Sequence, residues 1–175
     1  MSEGTVLELM KTRRSVRKFT DKPVPQVLVD KVIEAGLFAA SGMGKQAPVI
    51  IEVTNRELRD RLAALNSEIA GTGTDMFYGA QTILVVLADK SIGTYVYDGA
   101  LAMGNMMLEA HELGLGSCWI HRAKETFERP EGKAILKELG IEGDYEGIGN
   151  CILGYAEDDT ERIIPRKENR VYYAK

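Results

Sequence analysis

"TILVVLAD", Thr82 to Asp89, is an apolar run too short for a core helix and bounded by polar residues, which reads as a buried β-strand. The elements on either side of it are of mixed kind. Upstream, "VIIEV" at Val49 to Val53 is a first buried strand, and Asn55 after it is placed to cap a helix carrying Leu58, Leu62, Leu65 and Ile69. "GTGTD" at Gly71 to Asp75 interrupts that helix. Downstream, Val96, Ala100, Met103, Met107 and Ala110 mark a long helix through His111. "GLGSCWI" then reads as a short strand entered through glycines, "RPEGKAILKELG" as a surface helix and "GIGNCILGY" as another strand.

Nearer the N-terminus, Val6, Leu9 and Met10 give a short helix over Glu3 to Thr12. A second helix, entered at Pro25, presents Val29, Val32, Ile33, Gly36, Leu37 and Ala40 on one face and ends near "SGMGKQAP". The tail, "DDTERIIPRKENRVYYAK", is too polar for a core element and has a strand-like "RVYYA" end that suits packing along another surface. With no internal repeat, the expectation is one domain of mixed helix and strand over residues 1–175.

Composition narrows the function classes. The chain has 175 residues and a net charge of −4, with 45% apolar and 27% charged residues, which is ordinary globular usage. Net acidity argues against broad attraction to nucleic acid, and no apolar run approaches the roughly 18 residues of a membrane span. The expected location is the cytoplasm. Cys118 and Cys151 lie far apart with no CxxC pairing, so they read as packed, reduced thiols. Cys118 with His121 lacks the further ligands that a zinc site needs. No GxxxxGK[ST], HExxH, GxSxG or strand-borne GxGxxG is present.

The unexplained feature is "KTRRSVRKF", Lys11 to Phe19. Two readings compete. Basic side chains at a helix C-terminus complement its dipole. Alternatively, in an extended chain Arg13, Ser15 and Arg17 share one side, and two guanidiniums with a hydroxyl suit a phosphate dianion. A second basic set, Arg162, Arg166, Lys167 and Arg170, lies in the tail.

Taken in order, "RRSVRKF", "AASGMGKQAP", "FYGAQTILVV", "LGLGSCWIHRAKE" and "GYAEDDTERIIPRK" resemble the FMN-dependent nitroreductases of the short bacterial and archaeal type. The resemblance implies an α+β fold, a mixed and mainly antiparallel sheet flanked by helices, in an interlocked homodimer with FMN at the subunit interface. It assigns the FMN phosphate and ribityl chain to Arg13, Arg14, Ser15 and Arg17, with Arg166 from the tail. Ile164 stands where many members have a lysine. Ser41, Met43 and Gln46 match a loop lying against the flavin, although Gly44 replaces the usual asparagine and the proline falls at Pro48. By the same resemblance Asn66, which by itself reads equally as an exposed polar residue on its helix, corresponds to an amide directed at the ring; Trp119, by itself a core residue of a buried strand, is expected to pack beside the ring, and in the segment holding Ile120 and His121 the His121 N–H is the implied donor to flavin N5.

The implied activity is ping-pong transfer of hydride from NADH or NADPH, through flavin N5, to a small oxidised acceptor such as a nitroaromatic or quinone. The cofactor carries that chemistry, so no catalytic acid or base is required. The alternatives are a specialised flavin enzyme that dehydrogenates or dehalogenates a dedicated substrate, and a non-redox nucleotide-binding module.

Overall fold

The structure is a computed structural model and describes residues 5–158 and 164–175. Thr82–Asp89 forms β2, buried at every position before Asp89, as a continuous apolar strand requires when both faces are covered. It lies between β1 (Pro48–Val53) and β4 (Tyr145–Gly154), and β3 (Gly116–Ile120) completes the order β1-β2-β4-β3. All three ladders are antiparallel. The parallel element is an isolated bridge between Ser15 and Ser117, which lays the N-terminal segment beside β3.

Helices α2 (Gln26–Leu37) and α4 (Tyr95–Glu112) cover one face, where Val29, Val32, Met103 and Met106 pack with Leu84, Val86 and Leu153. The other face takes α3 (Arg56–Ala70), α5 (Ala123–Glu128) and α6 (Pro130–Glu138), with Leu62, Phe127 and Ile135 against Ile83, Val85 and Leu87. Asn55 caps α3 as its sequence position requires, its Oδ1 accepting the Leu58 N–H at 2.9 Å. Gly71 ends that helix at φ 66°, a conformation in which glycine carries no Cβ penalty.

Several expectations need adjustment. β1 is an edge strand, so Val49 and Ile50 are half-buried while Ile51 and Val53 are buried. α2 stops at Leu37, which turns outward, and Ala40 falls beyond the helix and is exposed. α5 was not anticipated; it is six residues long, and its sequence shows too little periodicity to read. "RVYYA" forms no strand, and Val171, Tyr172 and Tyr173 are exposed. Cys118 and Cys151 are free and buried, packed on opposite faces of the sheet. Burial, with Cys118 nearby, pushes the Cys151 thiol up to about 12, against a smaller opposing pull from Arg13. No helix among the described residues is long and apolar enough to cross a membrane.

Candidate functional site

The basic segment begins where α1 (Val6–Thr12) ends. Arg13 is its C-cap, and the N–H of Arg13 bonds the Leu9 carbonyl at 2.9 Å. The chain then runs along the sheet margin: Val16 N–H donates to Ser117 O at 2.9 Å, Thr20 N–H to Tyr155 O at 2.9 Å, and Glu157 N–H to Lys18 O at 3.1 Å. Val16 packs where a side chain on Gly116 would stand, which brings the two backbones together.

A cavity of about 370 Å³ opens beside this segment, lined by Thr12, Arg13, Arg14, Val16, Gly116 and Ser117 among others. Arg13 and Arg14 therefore line one cavity, while Ser15 and Arg17 are exposed outside its lining. This departs from the strict alternation expected of an extended chain, because Arg13 still belongs to the helix end and the strand-like run starts at Ser15. Arg13 Nη1 and Ser117 Oγ are buried here with no hydrogen-bond partner among the described residues. Arg14 Nη1 is anchored at 2.6 Å to the carbonyls of Lys11 and of Arg13. A second cavity of about 370 Å³ joins Lys11, Thr12 and Arg14 to Ile164, Pro165 and Arg166, so the tail does meet the N-terminal cluster. Lys167 and Arg170 are exposed outside it, and Arg162 lies outside the described residues.

Asn66 is buried within α3, not an exposed helix residue. Its Nδ2 donates to His121 O at 2.8 Å, and its Oδ1 is buried without a partner among the described residues. Asn150 of β4, also buried, directs its Nδ2 at Ile120 O at 3.4 Å and His121 O at 3.5 Å. The Ile120–His121 peptide is trans, so with its carbonyl turned to Asn150 its N–H, that of His121, points the opposite way. Ile120 is buried in the core, and Trp119 lies over Gly149 with its ring 6.2 Å from that of His121. Trp119 Nε1 is buried and unpartnered as well.

Ser41, Met43 and Gln46 stand elsewhere. Their loop includes a 3-10 turn (Gly42–Gly44) that touches the first turn of α4, where Gly42 N–H donates to Asp98 Oδ1 at 3.0 Å. The basic segment touches the last turn, where Thr12 Oγ1 and His111 Nε2 lie 2.8 Å apart. The helix between them has 18 residues, which makes it about 27 Å long. One chain therefore brings the basic segment and the loop to opposite ends of α4.

Ser117, Asn150 and Asp98 were missed by sequence reading. The available signal was a polar residue inside an otherwise apolar strand or helix face, which becomes informative once burial is known. A further cavity of about 400 Å³, lined by residues including Asp21, Arg56, Arg59 and Asp60, is internally paired: Arg59 donates to Ala80 O, Asp60 and Asp75. Among the described residues no group of three His, Cys, Asp or Glu side chains is placed to hold a metal ion.

Comparison with known proteins supplies the frame for these groups. A nitroreductase with bound FMN from Bacteroides fragilis is 30% identical, with a TM-score of 0.84 over 98% of this chain and 100% of that one. A nitroreductase with bound FMN from Desulfitobacterium hafniense is 25% identical, with a TM-score of 0.85 over 97% of this chain and 98% of that one. A Methanothermobacter thermautotrophicus protein, provisionally named NADH dehydrogenase/NAD(P)H nitroreductase, is 35% identical over 123 residues, 68% of this chain; the match spans 62% of that protein's length. The model of the Nitroreductase family matches residues 10–74 and 68–155, and the chain belongs to that family.

Proposed function

We propose that residues 1–175 form one FMN-binding domain that acts, as a homodimer, as an NAD(P)H oxidoreductase on a small nitroaromatic or quinone acceptor. The observation carrying this reading is Arg13: a buried guanidinium nitrogen without an acceptor, beside a cavity that Arg14 also lines. A buried charged donor left unpaired is costly, and a phosphate supplies the missing acceptors bidentately. The FMN bound in the Bacteroides and Desulfitobacterium nitroreductases supports FMN as the phosphate's source.

The residues present fit that group. Arg13 and Arg14 hold the phosphate, Ser15 and Arg17 add polar contacts from the exposed edge, and Arg166 adds charge across the second cavity. The buried Oδ1 of Asn66 is an acceptor without a donor, as a hydrogen-bonding ring edge would require. Asn66 and Asn150 fix the peptides on both sides of His121, which leaves its N–H as a pre-oriented donor. Trp119 is a packing surface beside that strand end. When bound, FMN supplies two-electron transfer between NAD(P)H and the acceptor, which alternate at one site.

The length of α4 supports the dimer. With Ser41, Met43 and Gln46 at the other end of α4 from Arg13, their approach to the cofactor held by Arg13 is assigned to a second copy. Tyr97 and Leu101 on α4 and Val6, Leu7 and Met10 on α1 are exposed apolar residues available to such a contact. The test is anaerobic: the purified protein is expected to be yellow, to sediment as a dimer, and to be bleached by NADPH or NADH and recoloured by 4-nitrobenzoate or benzoquinone. A colourless protein that does not retain added FMN would overturn the reading.

A further inference from the structure

The loop between α2 and β1 is anchored by Asp98, in the first turn of α4. Asp98 is 3% exposed. Its Oδ1 accepts from Gly42 N–H and its Oδ2 accepts from the Thr94 hydroxyl, both at 3.0 Å. Thr94 also occupies the space a side chain at Gly42 would need, since a Cβ there would overlap Thr94 Oγ1. At the other end Ser41 Oγ accepts from Gln46 N–H at 3.1 Å. Between these anchors Met43, at φ 52°, and Gln46, at φ 51°, hold the left-handed backbone that L-residues seldom adopt. Met43 is 87% exposed.

A buried carboxylate needs full hydrogen bonding, and here both partners serve the root of a surface loop. Backbone strain of this kind persists only where the surroundings over-determine it. The side chain so presented is an apolar thioether, and thioethers make favourable contacts with aromatic rings. We infer that Asp98 is a positioning residue: through Gly42 it fixes Met43 as an apolar wall at the acceptor side of the other subunit's flavin, favouring flat aromatic acceptors. This rests on the dimeric flavoenzyme reading above.

The experiment uses the FMN-loaded dimer with 4-nitrobenzoate as acceptor and unreactive benzoate, followed by the flavin absorbance change, as a binding probe. Asp98→Ala is expected to stay yellow and to speed amide exchange over residues 41–46 by about tenfold or more, with residues 82–89 unchanged. It should raise the acceptor KM and the benzoate Kd about tenfold while kcat shifts by less than about threefold. Asp98→Asn, which keeps Oδ1 as the acceptor for Gly42, should restore most of the loss. Met43→Ala should weaken benzoate binding without altering loop exchange, and the double variant should be no weaker than the worse single one.

Unchanged KM and Kd in a yellow, folded Asp98→Ala protein would overturn the positioning role, as would effects of the two substitutions that simply multiply. Should Asp98→Ala fail to fold, Thr94→Val carries the same comparison: faster loop exchange with raised KM supports the role, and faster exchange with unchanged KM overturns it. A colourless parent protein would instead mark failure of the flavoenzyme reading, and this inference would fall with it.

Discussion

The interior strands and the basic margin solve opposite problems. In β2, seven consecutive residues from Thr82 to Ala88 are buried, and cross-strand pairing with β1 and β4 occupies the backbone on both sides. Along the segment from Arg13 to Phe19, pairing to the sheet is reduced to isolated bridges, and buried polar atoms at Arg13 and Ser117 have no partner among the described residues. On the proposed function, the difference separates where the chain is held together from where it would hold the cofactor's phosphate. A core of this kind loses stability when altered, whereas the margin is expected to lose binding.

The largest effect should come from breaking the first region. Leu84→Ala, at a fully buried position, is expected to cost about 2–5 kcal/mol of unfolding free energy, measured by denaturant titration. In the margin, Arg13→Met removes the half-buried guanidinium whose Nη1 lacks a partner among the described residues and keeps much of the side-chain volume. Its ligand-free stability should be unchanged or raised. FMN affinity, by contrast, should fall about 10- to 100-fold in an equilibrium titration, the worth of a charge-assisted hydrogen bond.

The smallest effect lies outside both regions, at Asp75. Burial alone would raise this carboxyl, but Arg59 and the amides of Gly79 and Phe77 outweigh it and hold it below the ordinary range. Because the folded state favours the charged form, the contribution is complete above the unfolded pKa near 4 and is lost as pH falls through the lower folded value. Asp75→Asn should therefore flatten the acid limb of the stability profile slightly, since Asp75 is partly exposed.

The same contrast explains what the sequence could reveal. The bounds of β2 and the Asn55 cap depend on local pattern and were readable from it. The edge status of β1 depends on strand order, which no local window contains. Asn66 offered an amide on a helix, and its hydrogen bond to His121 O, 55 residues away, appears only when the chain folds. Asp98 similarly gains meaning from Gly42, 56 residues earlier in the chain. For the basic cluster, composition allowed a helix end or an anion site. The structure contains the helix end, and it leaves Arg13 Nη1 unpaired among the described residues, which is the observation on which the proposed anion site rests.

The most direct measurement compares FMN with riboflavin, which lacks only the phosphate, in fluorescence titrations of the ligand-free protein. FMN is expected to bind at least about 100-fold more tightly, as two or more charge-assisted contacts to one phosphate imply, and Arg13→Met should close much of that gap. Equal affinities for the two, or a gap untouched by Arg13→Met, would contradict the assignment of this margin as the phosphate site.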